Sequence, residues 1–314
     1  MSKWQYTKGL HDLGQGSFAY LQPDGGWGWS NAGLITDGEE SLLVDTLFDL
    51  NLTRDMLKTM RDAVPQAENI GTLVNTHANG DHTFGNQLVE GAAIVASAAG
   101  AEEMAELPPQ ALAEIMRNAG AMGEAGEFLK KLFDVFEFDG IDLAAPTETF
   151  SGMTTRKVGD KNVELHEVGP AHTKGDTLVY VPGDKTVFTG AILFIEGHPI
   201  MWAGPVANWI KACDLMLGWD VETIVPGHGP VTDKAGVEAV RGYLVYIEAE
   251  ARKRHAAGMS VMEAAQDIAM DDYSSWGDGE RIAVNVDTLF KEFNGDTSPP
   301  DVVQLFGMMS KLAK

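Results

Sequence analysis

Residues Thr76–His82 read Thr-His-Ala-Asn-Gly-Asp-His and follow directly on the apolar run Ile70–Val74. A buried strand that stops at such a turn holds two imidazoles, His77 and His82, and one carboxylate, Asp81, on a single short loop. That combination is a donor set for a metal ion. Imidazole nitrogen and carboxylate oxygen suit zinc or another borderline divalent ion, and the loop offers no thiolate to favour a softer one. Two later stretches end in the same way. Asn162–Val168 runs into Gly169-Pro170-Ala171-His172-Thr173, and Thr223–Val225 runs into Pro226-Gly227-His228-Gly229. β-Branched residues followed by Gly and Pro mark turns at buried strand ends, so three strand ends are expected to converge on one edge.

In the order of these motifs the chain resembles the metallo-β-lactamase-fold superfamily of metal-dependent hydrolases. That family's pattern is His-x-His-x-Asp-His, then a lone His, a bridging Asp and a late Gly-His. The likeness runs from about Asn31 to Val231 and implies a metal set of His77, Asn79, Asp81, His82, His172 and His228. Two positions depart from the pattern: Asn79 stands where the family has its second histidine, and Ala191 stands where it has the bridging aspartate. By resemblance the first pocket becomes His77, Asn79 and His172, while the second keeps Asp81, His82 and His228. An amide oxygen is a weaker donor than imidazole, and loss of the shared anion raises the repulsion between two dications. One zinc ion held firmly in the second pocket is therefore expected, with the other weak or absent. Another divalent metal stays open, as does replacement of the missing acid by Glu196.

The resemblance also gives Asp45, at the end of Leu42–Asp45, the part of an acid that fixes a ligand histidine by accepting its distal N–H. Asp176 is expected to brace the His172 loop. Aromatic residues near the active-edge loops are candidates for substrate binding: Trp27 and Trp29 on the Gly-rich tip Gly25–Ser30, Phe84 after the metal loop, and Trp202, with His198 as an auxiliary group. His11, His166 and His255 lie in no motif.

These residues require an α/β (α+β) chain in which strands carry the ligands. Hairpins are expected within Ser17–Asp45, then a helix over Leu50–Val64 and strands at Ile70–Val74 and Ala93–Ser97. The second half, from about Phe150, supplies strands near Val163–Val168, Leu178–Val181, Val187–Thr189 and Thr223–Val225, with a helix at Asn208–Trp219. Together they form a four-layer αβ/βα sandwich. A helical insertion at about 99–140, broken at Pro108-Pro109 and by Gly120, Gly123 and Gly126, is read either as a lid with Met104, Met116 and Met122 lining an apolar pocket, or as a packed helical hairpin. A helical extension covers about 233–314, with a capping box at Ser260–Glu263 and a last helix opened by Ser298–Asp301. All 314 residues are read as one domain.

A net charge of −23 disfavours nucleic acid, whose phosphates need clustered Lys and Arg, and hence the nucleases. No run of signal-peptide or membrane-span character is present, so a cytoplasmic protein without membrane partners is expected. Homodimerisation through either helical segment stays open. The single cysteine, Cys213, is read as a buried structural thiol. The expected function is metal-dependent hydrolysis of a small, mostly apolar ester, lactone or amide by a zinc-bound water, with Asp81 as the catalytic residue that orients or deprotonates it. Two alternatives remain: a lyase or dehalogenase on the same metal, or a metal-depleted ligand-binding protein.

Overall fold

A computed structural model describes residues 4–313. Seven strands form the first sheet in chain order: β1 (Gly9–Gly14), β2 (Ser17–Leu21), β3 (Ala32–Asp37), β4 (Glu40–Val44), β5 (Thr72–Val74), β6 (Ala93–Ser97) and β7 (Glu148–Phe150). The first four are antiparallel; β4 to β7 run parallel. The second sheet contains β8 (Met153–Val158), β9 (Lys161–Glu167), β10 (Thr177–Val181), β11 (Thr186–Phe188) and β12 (Thr223–Val225), ordered β12-β11-β10-β9-β8. Only β11 and β12 pair in parallel there.

Alternation along the strands decides the layers. Leu21, Ile35, Leu42, Val44, Val74 and Val95 from the first sheet meet Val163, Leu165, Val179, Val181 and Phe188 from the second, forming the inner core. Gly33 permits the close approach: a Cβ there would stand 2.3 Å from the Phe188 ring. On the outer face of the first sheet, Leu34, Leu43 and Leu73 pack on α1 (Leu50–Ala63), whose Met56, Leu57 and Met60 recur at helical spacing. Asp49 caps α1 by accepting the Leu52 N–H at 2.7 Å. The helix stops at Val64 because Pro65 restricts the residue before it. The short α2 (Gly80–Thr83) carries two of the ligand candidates.

The insertion folds as α3 (Ala98–Glu106), α4 (Pro109–Asn118) and α5 (Gly123–Phe133). Its methionines are packing residues. Met104 lies against Ala78 and Ala96 beneath the ligand loop, and Met116 and Met122 are half-buried against the main core. The second sheet is covered by α6 (Val206–Gly218), α7 (Lys234–Ala256), α8 (Val261–Asp267), α9 (Ile282–Asn294) and α10 (Val302–Leu312). The capping box at Ser260 and Glu263 forms. Cys213 is fully buried in α6, which pushes its thiol up to about 12. Among the described residues, no helix is long and apolar enough to cross a membrane.

The Gly25–Ser30 tip is anchored rather than flexible. Trp27 packs on Phe133 and Phe306, and its Nε1–H reaches Glu280 at 2.9 Å; Trp29 packs on Phe136. The tryptophans thus tie the β2–β3 connection to the insertion and to α10.

Candidate metal centre

Asp45 builds the ligand loop. Its backbone leaves β4 with φ +63°, and its Oδ1 accepts the Thr76 N–H at 2.7 Å. Its Oδ2 accepts the Thr76 hydroxyl at 2.7 Å and faces His82 Nδ1 at 2.8 Å. A carboxylate there requires His82 to carry its proton on Nδ1, leaving a lone pair on Nε2. The same accounting reaches His77. Since the Thr76 hydroxyl spends its hydrogen on Asp45, its 2.9 Å contact with His77 Nδ1 must run from the imidazole N–H to the hydroxyl oxygen. His77 Nε2 is then a buried lone pair, and it has no partner.

The remaining donors arrive from the second sheet. His228, in the turn after β12, brings Nε2 to 3.5 Å from His82 Nε2 and 3.4 Å from Asp81 Oδ2. Asp81 Oδ2 is 3.8 Å from His82 Nε2. The ligand atoms of Asp81, His82 and His228 all lie within 4.8 Å of one another, and all three residues are buried. Burial raises the Asp81 pKa, opposed by His82. Burial also works against charge on His82, but Asp81 and Asp45 outweigh it and raise that pKa. His228 is pushed well below the usual histidine range by burial and then by His82. One carboxylate and two imidazoles, one with its tautomer fixed from behind, fit a divalent ion.

The family model of the metallo-beta-lactamase superfamily matches residues 25–228, which span every one of these donors. The chain belongs to the metallo-β-lactamase superfamily. Solved structures share the fold. A metallo-β-lactamase from Pontibacter korlensis superposes with TM-score 0.57 at 18% identity, over 76% of this chain and 99% of that one. The stereoselective inverting sec-alkylsulfatase Pisa1 from Pseudomonas sp. gives TM-score 0.65 at 15% identity over 94% of this chain. This chain spans about half of that protein, 52%. The DIM-1 metallo-β-lactamase gives TM-score 0.55 at 17% identity, over 75% of this chain and 95% of that one. No curated protein matches the sequence. At the level of the superfamily, the chain is a metal-dependent hydrolase.

Against the superfamily pattern, the first pocket is altered in a way the sequence did not show. His172 Nδ1 donates to the Ile200 carbonyl at 2.6 Å, so its Nε2 is a lone pair. The Asn79 side chain meets that lone pair with its amide nitrogen at 3.0 Å, not with the oxygen expected as a ligand. An N–H already occupies the nitrogen an ion would need. Burial lowers the His172 pKa to about 3, partly offset by the Ile200 carbonyl, and drives His77 well below its ordinary value. Both rings are therefore neutral. As arranged, His77, Asn79 and His172 do not fit a second ion. Ala191 is buried in the turn after β11 and adds only a methyl. Its neighbour Gly190, at φ +50°, lets that turn press on the ligand loop, for a Cβ there would stand 2.2 Å from Thr76 Oγ1. Glu196 is exposed and lines a separate hollow with Asp24 and Asp278.

Asp176 accepts the Thr173 N–H at 3.0 Å and its hydroxyl at 2.8 Å, bracing the His172 loop. Burial raises its pKa to about 7, against the Thr173 hydrogen bonds. Of the expected substrate residues, Trp27 and Trp202 both pack on Phe306, and Trp29 is linked to Phe84 through Phe136 and Phe48, whereas His198 packs on other rings. Phe84 is buried against Phe48 and Phe138, and His198 is buried among Tyr243 and Trp276. Trp202 contributes its main chain, whose N–H bonds the His172 carbonyl at 3.0 Å.

The residue that sequence reasoning missed is Arg281. It is 1% exposed, with its guanidinium 4.6 Å from the Trp27 ring centroid and 5.0 Å from that of Phe194. Phe194 in turn stacks on His228 at 4.6 Å. The positive charge of Arg281 opposes the burial-driven rise at Asp81 and adds to the lowering that burial causes at His172 and His228. Asp278-Gly279-Glu280-Arg281 carries no motif that would have flagged it.

Proposed function

We propose that the protein hydrolyses a small, mostly apolar, uncharged ester, lactone or amide with one divalent ion, zinc by its donor set, held by Asp81, His82 and His228. The observation that carries this reading is the buried triad with its donor atoms within 4.8 Å. A bound ion would supply Lewis acidity and lower the pKa of water towards ~7. The chain's own residues do the rest. Asp45 fixes His82. Asp81 is the most accessible member of the triad, with its side chain 12% exposed against 6% for His228 and 0% for His82. Its second carboxylate oxygen and its greater exposure make it the member of the triad able to reach a water's proton. In this reading Asp81 takes the proton of the attacking water as its oxygen bonds to the acyl carbon, then returns the proton to the leaving oxygen or nitrogen as that bond breaks. A charge of −23 lowers the local concentration of anionic substrates.

Arg281 favours a second reading, in which the scissile group is the sulfate ester of an apolar alcohol. Its charge acts on the site residues, and an alkylsulfatase is among the solved structures that share the fold. Metal counting on the purified protein, with assays of neutral esters, lactones, β-lactams and alkyl sulfates, separates the two. Turnover of neutral acyl substrates supports the first, sulfate release supports the second, and a metal-free protein inactive on all of them sinks both.

A further inference from the structure

Loop His198–Met201 has four consecutive main-chain carbonyls, and each has its own side-chain donor. Arg281 Nη1 donates to the His198 carbonyl at 2.8 Å, and Asn285 Nδ2 donates to that of Pro199 at 2.9 Å. Thr288 Oγ1 donates to Met201 at 2.6 Å. The Met201 N–H closes the set on Asn285 Oδ1 at 2.8 Å. The fourth carbonyl, Ile200, accepts His172 Nδ1 at 2.6 Å. Positions 281, 285 and 288 are spaced to share one face at the start of α9, so a single polar stripe grips the loop on both sides of the carbonyl that His172 uses. Arg281, Asn285, His198, Ile200 and Met201 are each at most 3% exposed, where an unmet polar group is costly. This stripe lies beyond the residues that match the superfamily.

We propose that Arg281, Asn285 and Thr288 are positioning residues that aim the His172 ring at the metal edge. With its neighbours pinned, the Ile200 carbonyl has one direction, and it holds the proton of His172 on Nδ1. The Nε2 lone pair then faces Asn79 Nδ2 at 3.0 Å. A released loop would let His172 move its proton to Nε2, and Asn79 would then turn its amide to present Oδ1 in place of Nδ2. The proposal rests on the reading of this edge as the reacting site, but its test does not require turnover.

The test is ¹H–¹⁵N NMR of the histidine rings in metal-free protein. Thr288→Val and Asn285→Ala should each lose the His172 Nδ1–H resonance or move it upfield, and shift the Asn79 amide signals with it. The His82 Nδ1–H resonance, held by Asp45, should stay in place. Thr288→Ser should restore the wild-type pattern. Thr288→Val is nearly isosteric and half-buried, so it keeps the test readable if Asn285→Ala does not fold. Folded Thr288→Val with His172 and Asn79 signals unchanged, or with His82 moving equally, would overturn the proposal. A wild-type protein that hydrolyses nothing would instead sink the functional reading and leave this one standing.

Discussion

Asp45 has the widest reach of any single residue at the site, because its two oxygens set the proton positions on both His82 and, through Thr76, His77. Asp45→Asn removes one acceptor and should weaken metal binding about 10–100-fold, the usual cost of losing an outer partner of a ligand; competition with a chromophoric chelator measures it. His82→Ala should empty the site, whereas Asn79→Ala should leave the metal content unchanged, as read by elemental analysis of the purified variants. The reverse pattern would invert the pocket assignment. Ala191→Asp should raise the stoichiometry under saturating zinc, and further with Asn79→His, which removes the amide N–H from His172. Asp176 gives a pH signature. Its folded pKa, about 7, lies above the ordinary 3.8, so the native state binds more protons between the two. The stability it contributes is full below pH 3.8 and is lost as pH rises through about 7. Asp176→Asn should flatten that part of the stability-versus-pH curve in denaturant titrations.

At the scale of elements, the β2–β3 connection is held by its aromatic rings rather than by strand pairing. Trp27→Ala should cost about 2 kcal/mol, below the 3–5 typical of a fully buried ring because Trp27 is half-buried; urea unfolding reads it. Trp29 packs on Phe136, so Trp29→Ala should likewise act on stability more than on KM. The elements legible in the sequence were those with strong local signals. Expected helices at Leu50–Val64 and Asn208–Trp219 appear as Leu50–Ala63 and Val206–Gly218, and the strand ends carrying ligands lie where β-branched runs meet Gly and Pro. β8 was missed because Met-Thr-Thr-Arg-Lys-Val exposes or half-exposes nearly every side chain, and β7 because three residues carry no period. The candidate donors Asp81, His82 and His228 could be read because chemistry needs particular residue types at particular places. The α9 stripe could not, because a polar face at helical spacing looks like a solvated one until its partner loop is known.

Across the whole molecule, the candidate site joins the two sheets: Asp81 and His82 follow the first, and His228 ends a strand of the second. Bound metal should therefore stabilise the entire fold by mass action, by ~2.7 kcal/mol at a hundred times Kd. Thermal unfolding with added zinc, and its reversal by a chelator, tests this; an unchanged Tm at saturating zinc would exclude a structural bridge at this seam. With the net charge of −23, any anionic substrate should gain turnover as ionic strength rises, while a neutral ester should not respond. The span between the donors also has a temporal side. His82 and His228 are 146 positions apart, so while the chain is being made, all of the first sheet and nearly all of the second leave the ribosome before the last ligand exists. Until then the chain holds only two of the three proposed donors, so on this assignment firm loading with metal marks a protein whose two halves have already met.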